Sequence, residues 1–290
     1  VPSGEIYGGY SAYDHTEKDK DGHDITVGTT TESNVLNITG VANGTHDLKA
    51  FGGYSAGARG GSVNNTVNVD VTNLPNNVAS GELYSVYGGY AKGANAGVVR
   101  GNTVRFSQGA TLHDLMGGYI DTSSVPAWPD KTASDVVENR VLITGGKVGG
   151  SYERGSVMTS YTGSVYGGRT DGRGSARKNE VYVNAPIVTD AATQPARVAT
   201  VNVDKLVGGY GATATDNDVT ILSGTVKGTV YGGYATTAGT PEVPAGVGIS
   251  AVPEISAVRN NTVTIGDKAE IKGDVYGAYA AADASNMTAA

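Results

Sequence analysis

A string of the form Φ-Tyr-Gly-Gly-Tyr, with Φ apolar, recurs along the whole chain and constrains the fold more than any other feature. It reads EIYGGYSA at 5–12, AFGGYSAG at 50–57, SVYGGYAK at 85–92, GTVYGGYATT at 228–237 and DVYGAYAA at 274–281. Weaker copies are LMGGYI at 115–120, KVGGSY at 147–152, SVYGGRT at 164–170 and LVGGYG at 206–211, which makes nine. A catalytic motif is needed once; a motif repeated end to end belongs to architecture.

A second string, Asn-x-Φ-x-Φ, falls between the glycine pairs. It is headed by Asn34, Asn65, Asn102, Asn139, Asn179, Asn217 and Asn261. Its period of two places both apolar residues on one face of a strand. The stretch NTVTIGDKAEIKGDVYGAYAA (261–281) shows the unit best, with three strand-like pieces separated by glycine. Such units cannot bury an apolar face alone and gain a core only by stacking on their neighbours. The expected fold is all-β, a parallel β-helix or β-solenoid with irregular coil insertions. The alternative is a β-propeller, whose blades need a steadier length than these spacings allow.

On this reading the Gly-Gly step marks a corner or bulge in each coil. The second tyrosine (Tyr10, Tyr54, Tyr90, Tyr119, Tyr210, Tyr234, Tyr279) then recurs at one height and forms an aromatic ladder. The competing reading is an exposed stripe that contacts glycan or protein. The asparagines Asn65, Asn102, Asn139, Asn179, Asn217 and Asn261 are expected to tolerate a left-handed turn and to stack as an amide ladder.

Composition narrows the function. There are 44 glycines and no cysteine in 290 residues, so disulfides and thiolate metal sites are excluded. A net charge of −7 gives no electrostatic reason to expect nucleic acid as a partner. No apolar run is long enough for a transmembrane helix. The chain begins at Val1 without a leader and reads as a mature protein or a piece of a longer one.

The strings GTVKGTVYGGYATTAG and NNTVTIGDKAEIKGDVYGAYA resemble the passenger regions of bacterial autotransporters, the type V secreted surface proteins. The likeness covers most of the chain. It implies export to the bacterial cell surface or the extracellular medium and a non-enzymatic adhesive or scaffolding role. The implied partners are a host or matrix protein, a glycan, or copies of the chain itself. A self-assembling subunit of an extracellular filament is the alternative, and a polysaccharide-active β-helix enzyme a lesser one.

No P-loop, zincin or dinucleotide motif is present. GYSAG at 53–57 matches the nucleophile pattern G-x-S-x-G, but the Ser55 position is Ala91, Ala235 and Ala280 in sister copies. His15, His23, His46 and His113 lie between the repeated strings without ligand spacing.

Function is therefore expected in insertions near 12–33, 71–83, 120–138, 184–204 and 236–258, carried on a single domain spanning 1–290. Three features single themselves out. Asp19, Asp21 and Asp24 resemble part of a calcium loop without its closing glutamate. Trp128, the only tryptophan, sits between two prolines as a contact anchor. Arg169, Arg173, Arg177 and Lys178 form a basic segment suited to an anionic glycan or an acidic partner, and Arg169 stands where the second tyrosine recurs.

Overall fold

The computed structural model describes residues 3–281 apart from 19, 43–44, 58, 72–80, 94–95, 123–133, 155–156, 172–173, 186–198 and 237–257. The described chain is all-β, without a helix, and winds as a parallel solenoid.

Strand β1 (Ser3–Ser11) carries the first Tyr-Gly-Gly-Tyr string, and the antiparallel hairpin β2 (Asp14–Lys18) and β3 (Asp24–Gly28) follows it. Coils then succeed one another. The first is β4 (Thr31–Glu32), β5 (Val35–Ile38) and β6 (Asp47–Ser55); the second is β7 (Ser62–Val63), β8 (Thr66–Asp70) and β9 (Leu83–Lys92). The third is β10 (Val99–Arg100), β11 (Thr103–Gln108), β12 (Ala110–Thr111) and β13 (Leu115–Asp121). The fourth is β14 (Val136–Val137), β15 (Arg140–Ile143), β16 (Lys147–Arg154), β17 (Val157–Tyr161) and β18 (Ser164–Thr170). The fifth is β19 (Ser175–Arg177), β20 (Glu180–Val183), β21 (Thr200–Asn202) and β22 (Lys205–Gly211). The sixth is β23 (Thr213–Thr215), β24 (Asp218–Val226) and β25 (Thr229–Thr236), and the last is β26 (Val258–Arg259), β27 (Thr262–Ile271) and β28 (Val275–Ala281).

Each coil passes in turn through a short strand, an Asn-headed strand, a middle stretch and a Tyr-Gly-Gly-Tyr strand, the middle stretch being a strand of its own in the third to fifth coils and continuous with a neighbouring strand in others, as in β9 and β24. The short strands make their own parallel sheet, so the coil has a fourth element beyond the three read from the sequence. Both repeated strings stay in register from coil to coil. Val67, Val104, Val141, Val181 and Val219 lie opposite one another, as do Tyr54 and Tyr90, or Tyr210 and Tyr234. Parallel pairing throughout the stack replaces the antiparallel blades that a propeller requires.

The inward residues of three strand columns make one continuous core, including Val69, Leu83, Phe106, Leu115, Ile143, Val201, Leu206 and Ile221. Every coil thus covers the apolar face of its neighbour, which is why strand after strand repeats with period two.

Three sequence expectations need correction. The copy at 147–152 is not a Tyr-Gly-Gly-Tyr strand: it lies in the middle column, paired with β12 and β21. There Gly149 and Gly150 have φ of 65° and 101°, and the chain leaves the stack as the β16–β17 hairpin. Among the described residues the true copies are eight, on β1, β6, β9, β13, β18, β22, β25 and β28. Nor do their glycine pairs form corners. They lie mid-strand without positive φ, and the first glycine of each is passed over in the pairing register. Every strand of the column makes the same step, so the register does not shift, and both tyrosines, three positions apart, come to the same outer face. The left-handed corner falls instead on the residue before each ladder asparagine: Ser33, Asn64, Gly101, Glu138, Lys178, Asp216 and Asn260, with φ between 54° and 67°.

Candidate interaction surface

The asparagine columns were expected to stack, and each interior rung does so with every amide position used. Asn102 Oδ1 accepts from the main-chain N–H of Asn65 at 2.9 Å and from its Nδ2 at 3.0 Å. Asn102 Nδ2 donates onward to Asn139 Oδ1 at 2.9 Å and back to the Ser62 carbonyl at 2.8 Å. Asn139, Asn179 and Asn217 repeat this pattern, and Asn34 and Asn261 form the first and last rungs among the described residues. The five interior rungs, Asn65 to Asn217, are buried. A fully paired network of this kind is stable where a partly paired one is costly.

The ladder explains the glycines. A Cβ on Gly118 would lie 2.5 Å from Asn139 Cγ, and the second glycine of every other pair before a rung meets its asparagine as closely. A Cβ on the first glycine would strike the carbonyl of the next coil's first glycine, at 2.5 Å from Gly117 O for Gly88. Backbone cannot yield as a side chain can. Gly117→Ala is therefore expected to cost about 2 kcal/mol or more, within the overpacking range. Its urea midpoint should fall well below that of Gly40→Ala, where a Cβ meets nothing within 4 Å. Equal midpoints would refute the close-approach account.

On the outer face the tyrosines form two columns. Phe51, Tyr87, Met116, Tyr166, Val207 and Tyr231 are buried in one, and Tyr54, Tyr90, Tyr119, Tyr210 and Tyr234 of the other pack against them, Tyr90 itself buried. Coil spacing sets parallel stacking between coils, at 4.9 Å for Phe51–Tyr87 and for Tyr54–Tyr90. Within a coil the two rings meet edge to face, as in Tyr87–Tyr90 at 5.4 Å and 80°. Such offsets suit the ring quadrupole. The stacking is not uniform: Tyr119 meets Tyr90 edge-on at 81°. Burial, first of all, pushes the phenols of Tyr87, Tyr90, Tyr119 and Tyr166 above the ordinary tyrosine value. Neighbouring acids add to this for Tyr90, whose hydroxyl donates to Asp121 at 2.5 Å, and for Tyr119, which donates to Asp171.

Arg169 takes the place of a tyrosine within this stripe. Its guanidinium carbon lies 5.2, 5.1 and 5.3 Å from the rings of Tyr119, Tyr166 and Tyr210, and its Nε donates to Asp171 at 2.8 Å. Cation–π contact on three rings keeps the column continuous without a ring. The other basic residues do not gather with it. Arg177 is exposed and paired to Asp135 at 3.1 Å, Lys178 is an exposed left-handed corner, and Arg173 lies outside the described residues.

Trp128 and Asp19 also lie outside the described residues. Asp21 and Asp24 flank the β2–β3 turn, where Asp24 pairs with Lys18 at 2.5 Å. Among the described residues no group of three or more acids and histidines is placed to hold a metal ion. Ser55 is buried and donates to the Thr29 carbonyl at 3.0 Å. His46 pairs with Glu82, His15 with Glu17 at 2.7 Å, and His113 packs between Tyr84 and Tyr161.

The insertions expected near 71–83, 120–138, 184–204 and 236–258 lie largely outside the described residues, and the strands on either side of them keep their register. The geometry defines a parallel β-solenoid with a buried amide ladder and an outer aromatic stripe. Compared with known proteins, the chain matches no family model, no curated protein and no solved structure. Among the described residues no helix is long and apolar enough to cross a membrane.

Proposed function

We propose that this chain is a non-enzymatic scaffold of the bacterial cell surface or extracellular space, whose insertions bind a protein or glycan. One observation carries the reading. The offset between successive rungs varies from 31 to 44 residues, yet the ladder bonds stay between 2.8 and 3.1 Å. Insertions are thus free to vary in length and chemistry without cost to the stack that carries them. A frame of this kind suits presentation of contacts, and binding residues concentrate on loops held by a rigid frame. The seven described coils, at about 4.8 Å each, stack to roughly 35 Å. The resemblance to autotransporter passengers agrees with export and adhesion.

The test is a binding screen of the chain against glycans and matrix proteins, beside a variant with 123–133 replaced by a short Gly-containing turn. We expect at least one ligand for the intact chain, weakened or lost in the variant, with an unchanged melting curve. An intact chain that binds nothing in the screen would overturn the adhesive reading.

A further inference from the structure

Two neighbouring tyrosines in the middle of the outer column differ from the rest. The Tyr90 hydroxyl donates to Asp121 Oδ2 at 2.5 Å, and one coil on the Tyr119 hydroxyl donates to Asp171 in the same way. Each acceptor stands two residues beyond the place of the second tyrosine in the next coil. In other coils that place holds Ala56, Lys92, Ala212, Thr236 or Ala281, none of which carries a carboxylate.

Tyr90 is also where four rings meet. It stacks on Tyr54 at 4.9 Å and touches Phe51, Tyr87 and Tyr119 edge to face at 5.4, 5.4 and 5.3 Å. Tyr90 is only 9% exposed, whereas Tyr54 and Tyr119 on either side are half-buried and reach solvent. Beyond Tyr119 the next place in the column is Arg169, a cation in place of a ring.

An electron taken from a buried phenol leaves a cation, which a low-dielectric site tolerates poorly unless a proton leaves as well. A base already hydrogen-bonded to the hydroxyl can take that proton. We propose that Tyr90 is a one-electron oxidation site, where the stripe collects the radical left by a peroxide-derived oxidant such as a haem peroxidase intermediate. The oxidant gains one electron from the ring of Tyr54 or Tyr119, and an electron from Tyr90 restores that ring. The Tyr90 O–H bond breaks, its proton passes to Asp121 Oδ2, and a neutral phenoxyl remains beside a carboxylic acid. Burial keeps this radical from coupling with one on another molecule. The inference holds whatever the insertions bind.

The test is electron paramagnetic resonance of the chain, flash-oxidised with photogenerated tris(bipyridine)ruthenium(III) and frozen at increasing delays. Radicals on exposed tyrosines should disappear by coupling. One phenoxyl should persist, with a coupling to one exchangeable proton that vanishes in deuterium oxide. Tyr90→Phe, which removes one hydroxyl and keeps the ring, should abolish the persistent signal. Asp121→Asn, which keeps an acceptor oxygen but is no base, should abolish it too. Tyr210→Phe, in the same column but without a carboxylate at the matching place, should leave it intact. A wild-type chain with no persistent radical, or with one that lacks the exchangeable coupling, would overturn the proposal. So would a signal that survives in Tyr90→Phe or Asp121→Asn, or one lost equally in Tyr210→Phe. Circular dichroism melting accompanies each variant, and if Tyr90→Phe does not fold, Asp121→Asn decides.

Discussion

Asn139→Asp is expected to cost about 3–5 kcal/mol, the range for an uncompensated buried charge. The change is nearly isosteric, so packing stays the same and only the hydrogen-bond polarity alters. Asn139 Nδ2 donates to Asn179 Oδ1 at 3.1 Å and to the Val99 carbonyl at 2.9 Å. A carboxylate has no hydrogen to give either of them. It turns two bonds into acceptor–acceptor contacts in a site with no solvent exposure. Protonation would restore one donor at most, so the loss should shrink at low pH without vanishing. The control is Asn68→Asp on the outer face, where Asn68 Nδ2 donates to Asn37 Oδ1 at 2.8 Å in solvent. There the expected cost is about 1 kcal/mol or less. Urea unfolding followed by circular dichroism separates the two cases. Comparable losses at both positions would mean that the buried ladder is no more important than a surface amide pair. A solenoid gains its stability between neighbours, so the damage should spread through the third to fifth coils before the ends.

The ladder was legible because a rung needs one residue type at one place in every coil. Seven Asn-x-Φ-x-Φ strings became seven aligned strands, and the period-two apolar residues became the core. The glycine pairs were harder, because glycine serves corners, bulges and close approaches alike. Only the partners of the missing Cβ separate these uses, and those partners lie a whole coil away in sequence. The copy at 147–152 misled for a related reason. Its letters fit, but too few residues separate Asn139 from Gly149 for a middle strand to lie between them, as one does between Asn102 and Gly117. The left-handed corner had a usable signal. The residues before the rungs are Ser, Asn, Gly, Glu, Lys, Asp and Asn, with none β-branched or apolar, which is what a positive φ tolerates. Arg169 stood out as a break in the pattern, yet its role depends on Asp171 and on rings of the third and fifth coils as well as its own. Net basic character was visible along the chain, and pairing was not.

Raising the pH should unfold the solenoid in one step, a little above the range where exposed tyrosines ionise. Burial raises the Tyr87 and Tyr166 phenols above their unfolded value of 10.0, so the folded chain holds these protons more tightly than the unfolded chain does. Their contribution to stability is complete below pH 10 and is lost as the pH climbs from there towards the folded values. Each such group contributes a slope of about 1.4 kcal/mol per pH unit, or roughly 3 kcal/mol for the two. Tyr90 and Tyr119 act in the same direction, first because they are buried and then because their ionisation would set a phenolate against Asp121 and Asp171. A domain with about 5–15 kcal/mol in reserve cannot sustain that slope for more than a few units. Arg169 opposes the trend, because its charge favours the phenolates of Tyr87 and Tyr166. Arg169→Gln should therefore delay the ionisation of those two phenols, if the tyrosine column survives the loss of its cation. The measurement is phenolate absorbance and far-ultraviolet circular dichroism on one alkaline titration. We expect the two signals to move together, with a large fraction of the phenolate appearing only as the strands are lost. Full ionisation near pH 10 with the circular dichroism intact would mean that the rings are open to solvent and that the aromatic stripe does not hold the coils together.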